Sequence, residues 1–437
     1  MAEKRINVDY LARVEGEGAL RVKILDDQVT DVQLNIFEPP RFFEAFLRGR
    51  GLQETIDIVA RICGICPVAY QMSAAHALEK ALGIEPPEGV RPLRRLLYLG
   101  EWIESHGLHL FMLHLPDFLG YESAIEMAGV PELRPLVEQG LRLKKIGNHL
   151  MTVIGGREIH PISVCVGGFY RAPRPAQLQA LLPDLEWGLE TAVETVRWAA
   201  NLDYPDFAAD YEFVSLSHPD EYPINEERII SSSGLDISME EYEEHFSEVH
   251  VAHSNALQSR YVNGGGEGSS YLVGPLARVN LNFAKLSPTA QETAREIGFS
   301  PPERNPFKSL LARGLELIHA FEESLQIIRN YEEPRPSRTK LPAQLTPGEG
   351  MHATEAPRGL LYHRYRVDEN GLITFAKIVA PTSQNLKRIE DDLWQFVPGV
   401  MDMPLDEATL RCEQLVRSYD PCISCATHFL KLDIERA

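Results

Sequence analysis

A chain of 437 residues, 44% of them hydrophobic, is long enough for about three domain-sized units or one large fused core, burying roughly three quarters of its unfolded surface. Its 63 Asp and Glu against 43 Lys and Arg give a formal charge of -20, which argues against nucleic acid and anionic membrane surfaces as partners. Six cysteines do not make a secreted disulfide scaffold, and no apolar run of about 18 residues signals a membrane span, so the expected setting is cytoplasmic.

In chain order, Val22, Ile24, Val29, Val32, Leu34 and Ile36 alternate around Asp26-Asp27-Gln28, which predicts a β-hairpin within a β-rich segment over 1–50. Glu15, in Arg13-Val-Glu-Gly16, falls on a strand or turn beside it. From 53 to 83 the pattern is helical but broken at Cys63-Gly-Ile-Cys-Pro67, with Gly83 as the stop. Such a break bares backbone amides to sulfur and lets both cysteines converge on one metal. Helices from Pro92 to about Leu115, over 132–154 and over 176–201 complete a helical core spanning 51–202. His106 and His109 lack an acidic partner pattern, as do His245, His250 and His253, and all read as structural or solvated.

Between 203 and 290, proline, serine and acidic clusters alternate with short β-like runs, which predicts an α+β insertion. The Gly-rich stretch Asn263–Gly268 lacks the Lys-Ser/Thr of a phosphate loop and reads as a flexible turn. A helix from Pro306 to Tyr331 and a Pro-rich linker at Glu333–Ser337 lead into the remainder of a helical segment over 291–428, which carries the second cysteine pair. The first and last parts of the chain have to meet around the cysteines, so 1–437 is one domain rather than several.

Cys63 and Cys66, with Cys422 and Cys425, make two Cys-x-x-Cys pairs at opposite ends of the chain. Paired soft ligands suit a thiophilic transition metal, and the spacing alone leaves a structural zinc and a catalytic or redox metal both open. Cys165 and Cys412 fall outside the pairs and read as ordinary buried thiols.

Five motifs stand in order: Arg13-Val-Glu-Gly16, Arg61-Ile-Cys-Gly-Ile-Cys66, Glu355-Ala-Pro-Arg-Gly359, Pro381-Thr-Ser-Gln-Asn385 and Asp420-Pro-Cys-Ile-Ser-Cys-Ala-Thr-His428. On these the chain resembles the large, catalytic subunit of a nickel-iron hydrogenase. The form of Pro381-Thr-Ser-Gln-Asn385, together with Cys66-Pro67, is most similar to the cytosolic, bidirectional group linked to NAD(P) or a deazaflavin. The resemblance implies a mainly α fold with an α+β periphery: a long-helix core, a small N-terminal sheet and an inserted α+β region.

It further implies that Cys63, Cys66, Cys422 and Cys425 bind nickel, with Cys66 and Cys425 bridging to an iron that holds carbon monoxide and cyanide. Arg358 would stand over the open metal position, braced by Asp117 and Asp420. Pro381 and Thr382 would face a cyanide, and Glu15 would relay the proton, with Glu17 and Glu38 as candidates further along. Glu44 and His428 would hold a magnesium ion. Where many relatives carry histidine, this chain has Tyr70.

The implied partners are a small iron-sulfur subunit, flavin and NAD(P)-reductase subunits, nickel-insertion factors, and a maturation protease that removes the nine residues 429–437 after His428. Iron-sulfur clusters and flavin belong to those partners, because no further cysteine set is present. The alternatives are a metal-free, quinone-reductase-like or structural subunit of the same fold, and a cytoplasmic hydrogen sensor.

Overall fold

The computed structural model describes residues 3–262 and 268–428. The tail expected after His428, and residues 263–267 of the Gly-rich turn, lie outside the described residues. The chain starts with an antiparallel sheet of Glu3–Val8, Gly18–Leu25 and Gln28–Ile36 in that order. Its hairpin turns at Asp26 and Asp27, with φ of 48° and 60°, the left-handed pair that matches strand twist in a tight turn. The first strand adds to the predicted hairpin. Its outward face is polar, and only Ile6 and Val8 are buried.

Long helices form the centre. Val90–Leu108 lies against Arg134–Gly155, and the approach is set by Gly147, where a Cβ would stand 2.6 Å from the Glu104 nitrogen. Leu182–Ala199 and Ser309–Arg329 pack alongside. The helix expected to open at Pro92 starts at Val90, passes through a π turn at His109–His114 and ends at Leu119. The helix expected over 176–201 is two, Pro175–Gln179 and Leu182–Ala199. Pro183 accounts for the division, since it lacks an N–H and fits only a first turn.

The 203–290 region carries short strands in two small sheets, Val214–Ser217 with Arg228–Ser231 and Asp236–Ile237, and Phe246–His250 with Leu257–Tyr261. A sheet that the sequence reading missed lies within 291–428. Gly348–Ala356, Gly359–Val367 and Ile373–Val379 pair antiparallel in that order. Ala356 pairs with Gly359, so Pro357 and Arg358 form the two-residue tip of a hairpin. Helix Pro67–Leu82 packs on this sheet, and helix Pro381–Phe396 follows its last strand directly. Among the described residues, no helix is long and apolar enough to cross a membrane.

Candidate metal centre

The two cysteine pairs meet as the motifs anticipate. Cys63 and Cys66 occupy the break between the Ala60–Ile62 turn and the Pro67–Leu82 helix, and Cys422 caps the short helix Ile423–Ala426, which contains Cys425. All four are buried and none is in a disulfide. The sulfurs of Cys63, Cys66 and Cys425 lie within 4.8 Å of one another. Cys422 Sγ is 3.6 Å from Cys63 Sγ and 2.6 Å from Cys425 Sγ. A first-row metal bonded to thiolates at about 2.3 Å sets tetrahedral sulfur–sulfur edges of about 3.8 Å; the Cys63–Cys422 separation is close to such an edge, whereas Cys422 and Cys425 stand closer together than one.

Burial raises the Cys422 thiol well above its ordinary pKa, whereas hydrogen bonds from Cys422, Cys425 and Cys66 depress that of Cys63. Thiols held neutral by burial ionise together only when a cation takes up the charge. Cys63 Sγ also accepts the N–H groups of Ile65 at 3.4 Å and Cys66 at 3.3 Å, the amides bared by the helix break.

The N-terminal loop closes this knuckle. Glu15 forms a parallel bridge with Cys422, and its carbonyl accepts the Ile423 N–H at 2.8 Å. Glu15 Oε2 accepts from Cys422 Sγ at 3.0 Å and from the Ser424 N–H at 3.2 Å. Ser424 Oγ in turn donates to Glu38 Oε2 at 2.8 Å, which also accepts the Glu17 N–H at 3.3 Å. Glu17 brings its backbone, while its side chain is exposed. Gly16, with φ of 89°, has no room for a Cβ: one would sit 2.6 Å from Glu38 Oε2 and 2.8 Å from the Ser424 nitrogen.

Arg358 is 3% exposed, not a surface residue of a turn. Its Nε donates to the Asp420 carbonyl at 2.7 Å and its Nη2 to Asp420 Oδ1 at 3.0 Å. Burial opposes its charge, yet Asp420 and the sulfurs of Cys422, Cys66 and Cys63 hold its pKa well above the ordinary value. Arg358 Nη1 and Asp420 Oδ2 are buried without partners among the described residues, as an arginine facing an absent group requires. Thr382 Oγ1 accepts the Cys422 N–H at 2.9 Å, which leaves its hydroxyl proton for another acceptor. Pro381 opens the helix that carries it.

Asp117 makes its ion pairs with arginines other than Arg358. Its carboxylate takes Arg417 in a two-pronged pair, at 2.7 and 2.8 Å, and also takes Arg13. Arg358 thus pairs with Asp420, and Asp117 ties the Arg13 loop and the Leu405–Ser418 helix to the Leu115–Leu119 turn that follows the π turn. Arg417 drew the carboxylate away, and nothing in its sequence context marks it as buried.

Glu44 and His428 do come together. Glu44 Oε1 accepts the Ile378 N–H at 2.8 Å, and His428 Nε2 lies 2.5 Å from the Ile378 carbonyl. His428 Nδ1 contacts the Cys425 carbonyl. Burial pushes the His428 pKa down, and a neutral imidazole can donate to only one of two carbonyls. The other nitrogen then faces an oxygen lone pair to lone pair.

Tyr70 is buried with its hydroxyl unpartnered among the described residues, and its ring centre is 5.7 Å from that of His363. Cys165 and Cys412 are buried single thiols, and burial pushes Cys412 up to about 12. His106 and His109 are structural: His106 Nε2 meets Glu316 at 2.9 Å, and His109 Nε2 donates to the Arg417 carbonyl at 2.8 Å. Arg41, which belongs to none of the five motifs, grips the carbonyls of Ile62 and Ser424 and so joins the two cysteine segments. Ser424, within the motif Asp420–His428, is a further functional residue through its bonds to Glu15 and Glu38.

Four buried cysteines gathered from both chain ends, flanked by a guanidinium and a carboxylate, make a cluster that fits a transition-metal site. The family model described as nickel-dependent hydrogenase matches residues 41–130 and 266–428. Sulfhydrogenase 1 subunit alpha of Pyrococcus furiosus is 35% identical over 429 residues, 98% of each chain. The NAD-reducing hydrogenase HoxS subunit beta of Cupriavidus necator is 29% identical, over 98% of this chain and 95% of its own. Among solved structures, an NAD+-reducing [NiFe]-hydrogenase in the H2-reduced state superposes with a TM-score of 0.84 at 27% identity, covering 97% of this chain and 99% of that one. The chain belongs to the nickel-dependent hydrogenase family, as a large, catalytic subunit.

Proposed function

We propose that this subunit oxidises dihydrogen reversibly at a nickel-iron centre held by Cys63, Cys66, Cys422 and Cys425, with Cys66 and Cys425 as the bridging pair. The observation that carries the reading is the gathering of four buried sulfurs from both chain ends, those of Cys63, Cys66 and Cys425 within 4.8 Å of one another, with Glu15 Oε2 3.0 Å from Cys422 Sγ. Nickel, with an iron that also carries carbon monoxide and cyanide, supplies the redox and Lewis-acid chemistry that cleaves dihydrogen.

The chain's own residues do the rest. Glu15 takes a proton from Cys422 Sγ, and Ser424 Oγ with Glu38 Oε2 offers the next station, 2.8 Å apart, toward the edge of the protein. Arg358 keeps a fixed positive charge beside the sulfurs, with Asp420 holding its orientation and Nη1 left free to donate. Thr382 anchors the Cys422 backbone and keeps a hydroxyl proton for a cyanide. Glu44, the Ile378 carbonyl and His428 form a niche for magnesium, whose hard-cation preference suits two oxygens, an imidazole and water.

Electrons leave through a small iron-sulfur subunit, because the only other cysteines, Cys165 and Cys412, are isolated. The likeness to NAD-reducing relatives supports their onward passage to NAD(P) in a cytoplasmic complex; flavin subunits, nickel-insertion factors and a maturation protease complete the partners of this proposal. Replacing Cys425 with serine tests the reading: a hydroxyl cannot bridge two soft metals, so iron retention and hydrogen turnover should both disappear. Full metal content and activity in that variant would sink it.

A further inference from the structure

The helix Val90–Leu108 carries a carboxyl, Glu101, to the back of the first cysteine pair. It is fully buried and both of its oxygens are occupied. Oε2 accepts the N–H of Val68 at 2.6 Å and Oε1 that of Ala69 at 3.1 Å. These are the first N–H groups that helix Pro67–Leu82 can offer, because Pro67 has none.

Cys66 is the N-cap of that helix. The side chain at an N-cap ordinarily accepts the N–H groups two and three residues on, which here are those of Val68 and Ala69. Sulfur in this segment does accept backbone amides, as Cys63 does from Ile65 and Cys66. Among the described residues, no backbone N–H reaches Cys66 Sγ, since Glu101 has taken both donors. The two thiolates of one pair are thus unequal, Cys63 with two N–H donors and Cys66 with none.

Hydrogen bonds to a ligating sulfur withdraw charge from it and raise the reduction potential of the metal it holds. We infer that Glu101 is a positioning residue that diverts the amides of Val68 and Ala69 from Cys66 Sγ, keeping that sulfur the stronger electron donor of the first pair. The inference rests on the reading of Cys66 as a nickel ligand. Nothing in the nickel-dependent reaction requires a second carboxyl here, and a helix start buried this deeply could have been capped by Cys66 itself.

Glu101→Gln tests it. One acceptor oxygen is replaced by an N–H2 donor, so one of the two backbone N–H groups is released to turn toward Cys66 Sγ. In the holoenzyme, nickel content should be retained, amide hydrogen exchange at Val68 or Ala69 should quicken, and the nickel midpoint potential, followed by electron paramagnetic resonance, should move positive. Quickened exchange with an unmoved potential would overturn the proposal and leave Glu101 a plain helix cap. If Glu101→Gln does not load nickel, Glu101→Asp is compared instead. Its shorter carboxylate should reach only one of the two N–H groups, and an unchanged potential there also overturns the proposal. A parent protein without any nickel signal would overturn the functional reading itself, an outcome separate from any difference between parent and variant.

Discussion

Glu15→Gln separates proton transfer from architecture. In the parent protein, Glu15 Oε2 takes both the Cys422 Sγ contact at 3.0 Å and the Ser424 N–H at 3.2 Å. An amide can present its oxygen at that position and keep both, and the Glu15 carbonyl bond to Ile423 is untouched, so the cost in stability should stay below about 1 kcal/mol. What the amide cannot do is accept and release a proton. Loss of a positioned acid–base group typically costs about 100- to 10,000-fold, or roughly 2.7–5.4 kcal/mol of barrier. The assay is exchange of dihydrogen with deuterated water by the purified, metal-loaded protein, which requires no electron partner. Normal metal content with exchange reduced by that range is the expected result. Exchange at the parent rate, with the metals in place, would refute Glu15 as the relay and move the proton to another group.

Gly16→Ala should be far more disruptive than its size suggests, because a left-handed φ and a Cβ 2.6 Å from Glu38 Oε2 combine strain with overpacking. A loss of about 2–5 kcal/mol is expected in denaturant unfolding, and a loss below 1 kcal/mol would refute the tight docking of this loop. Asp117→Asn leaves Arg417 buried without its carboxylate and should destabilise the protein by about 3–5 kcal/mol, measured the same way. A neutral effect would contradict its place in that ion cluster. The His253–Glu390 hydrogen bond, 2.7 Å long, raises the His253 pKa. Its contribution is therefore fully present below the ordinary histidine pKa of about 6.5 and is lost as pH rises through the elevated value. Thermal unfolding against pH should show that loss in the parent and not in His253→Asn, and identical profiles would count against the bond.

Much of the site was legible because its chemistry is local in sequence. Gly64 and Pro67 break a helix where two sulfurs must turn inward, and Gly83 ends the helix that follows in the left-handed conformation. Asp26-Asp27 announces its hairpin in the same way. What was illegible depends on partners distant in the chain. Asp117 reads as a turn residue after a proline, and only folding brings it to Arg417, 300 positions later. Glu101 looks like one of two acids on an amphipathic helix until the Pro67 helix start is laid against it. The sheet carrying Arg358 is buried on both faces along much of its length, which removes the alternation by which strands are recognised.

The most direct test of the central claim is elemental analysis of the purified subunit combined with its infrared spectrum. The account predicts nickel and iron in equal amounts, bands of metal-bound carbon monoxide and cyanide, and the loss of both metals and bands in Cys425→Ser. Zinc in place of nickel, with no such bands, would contradict it.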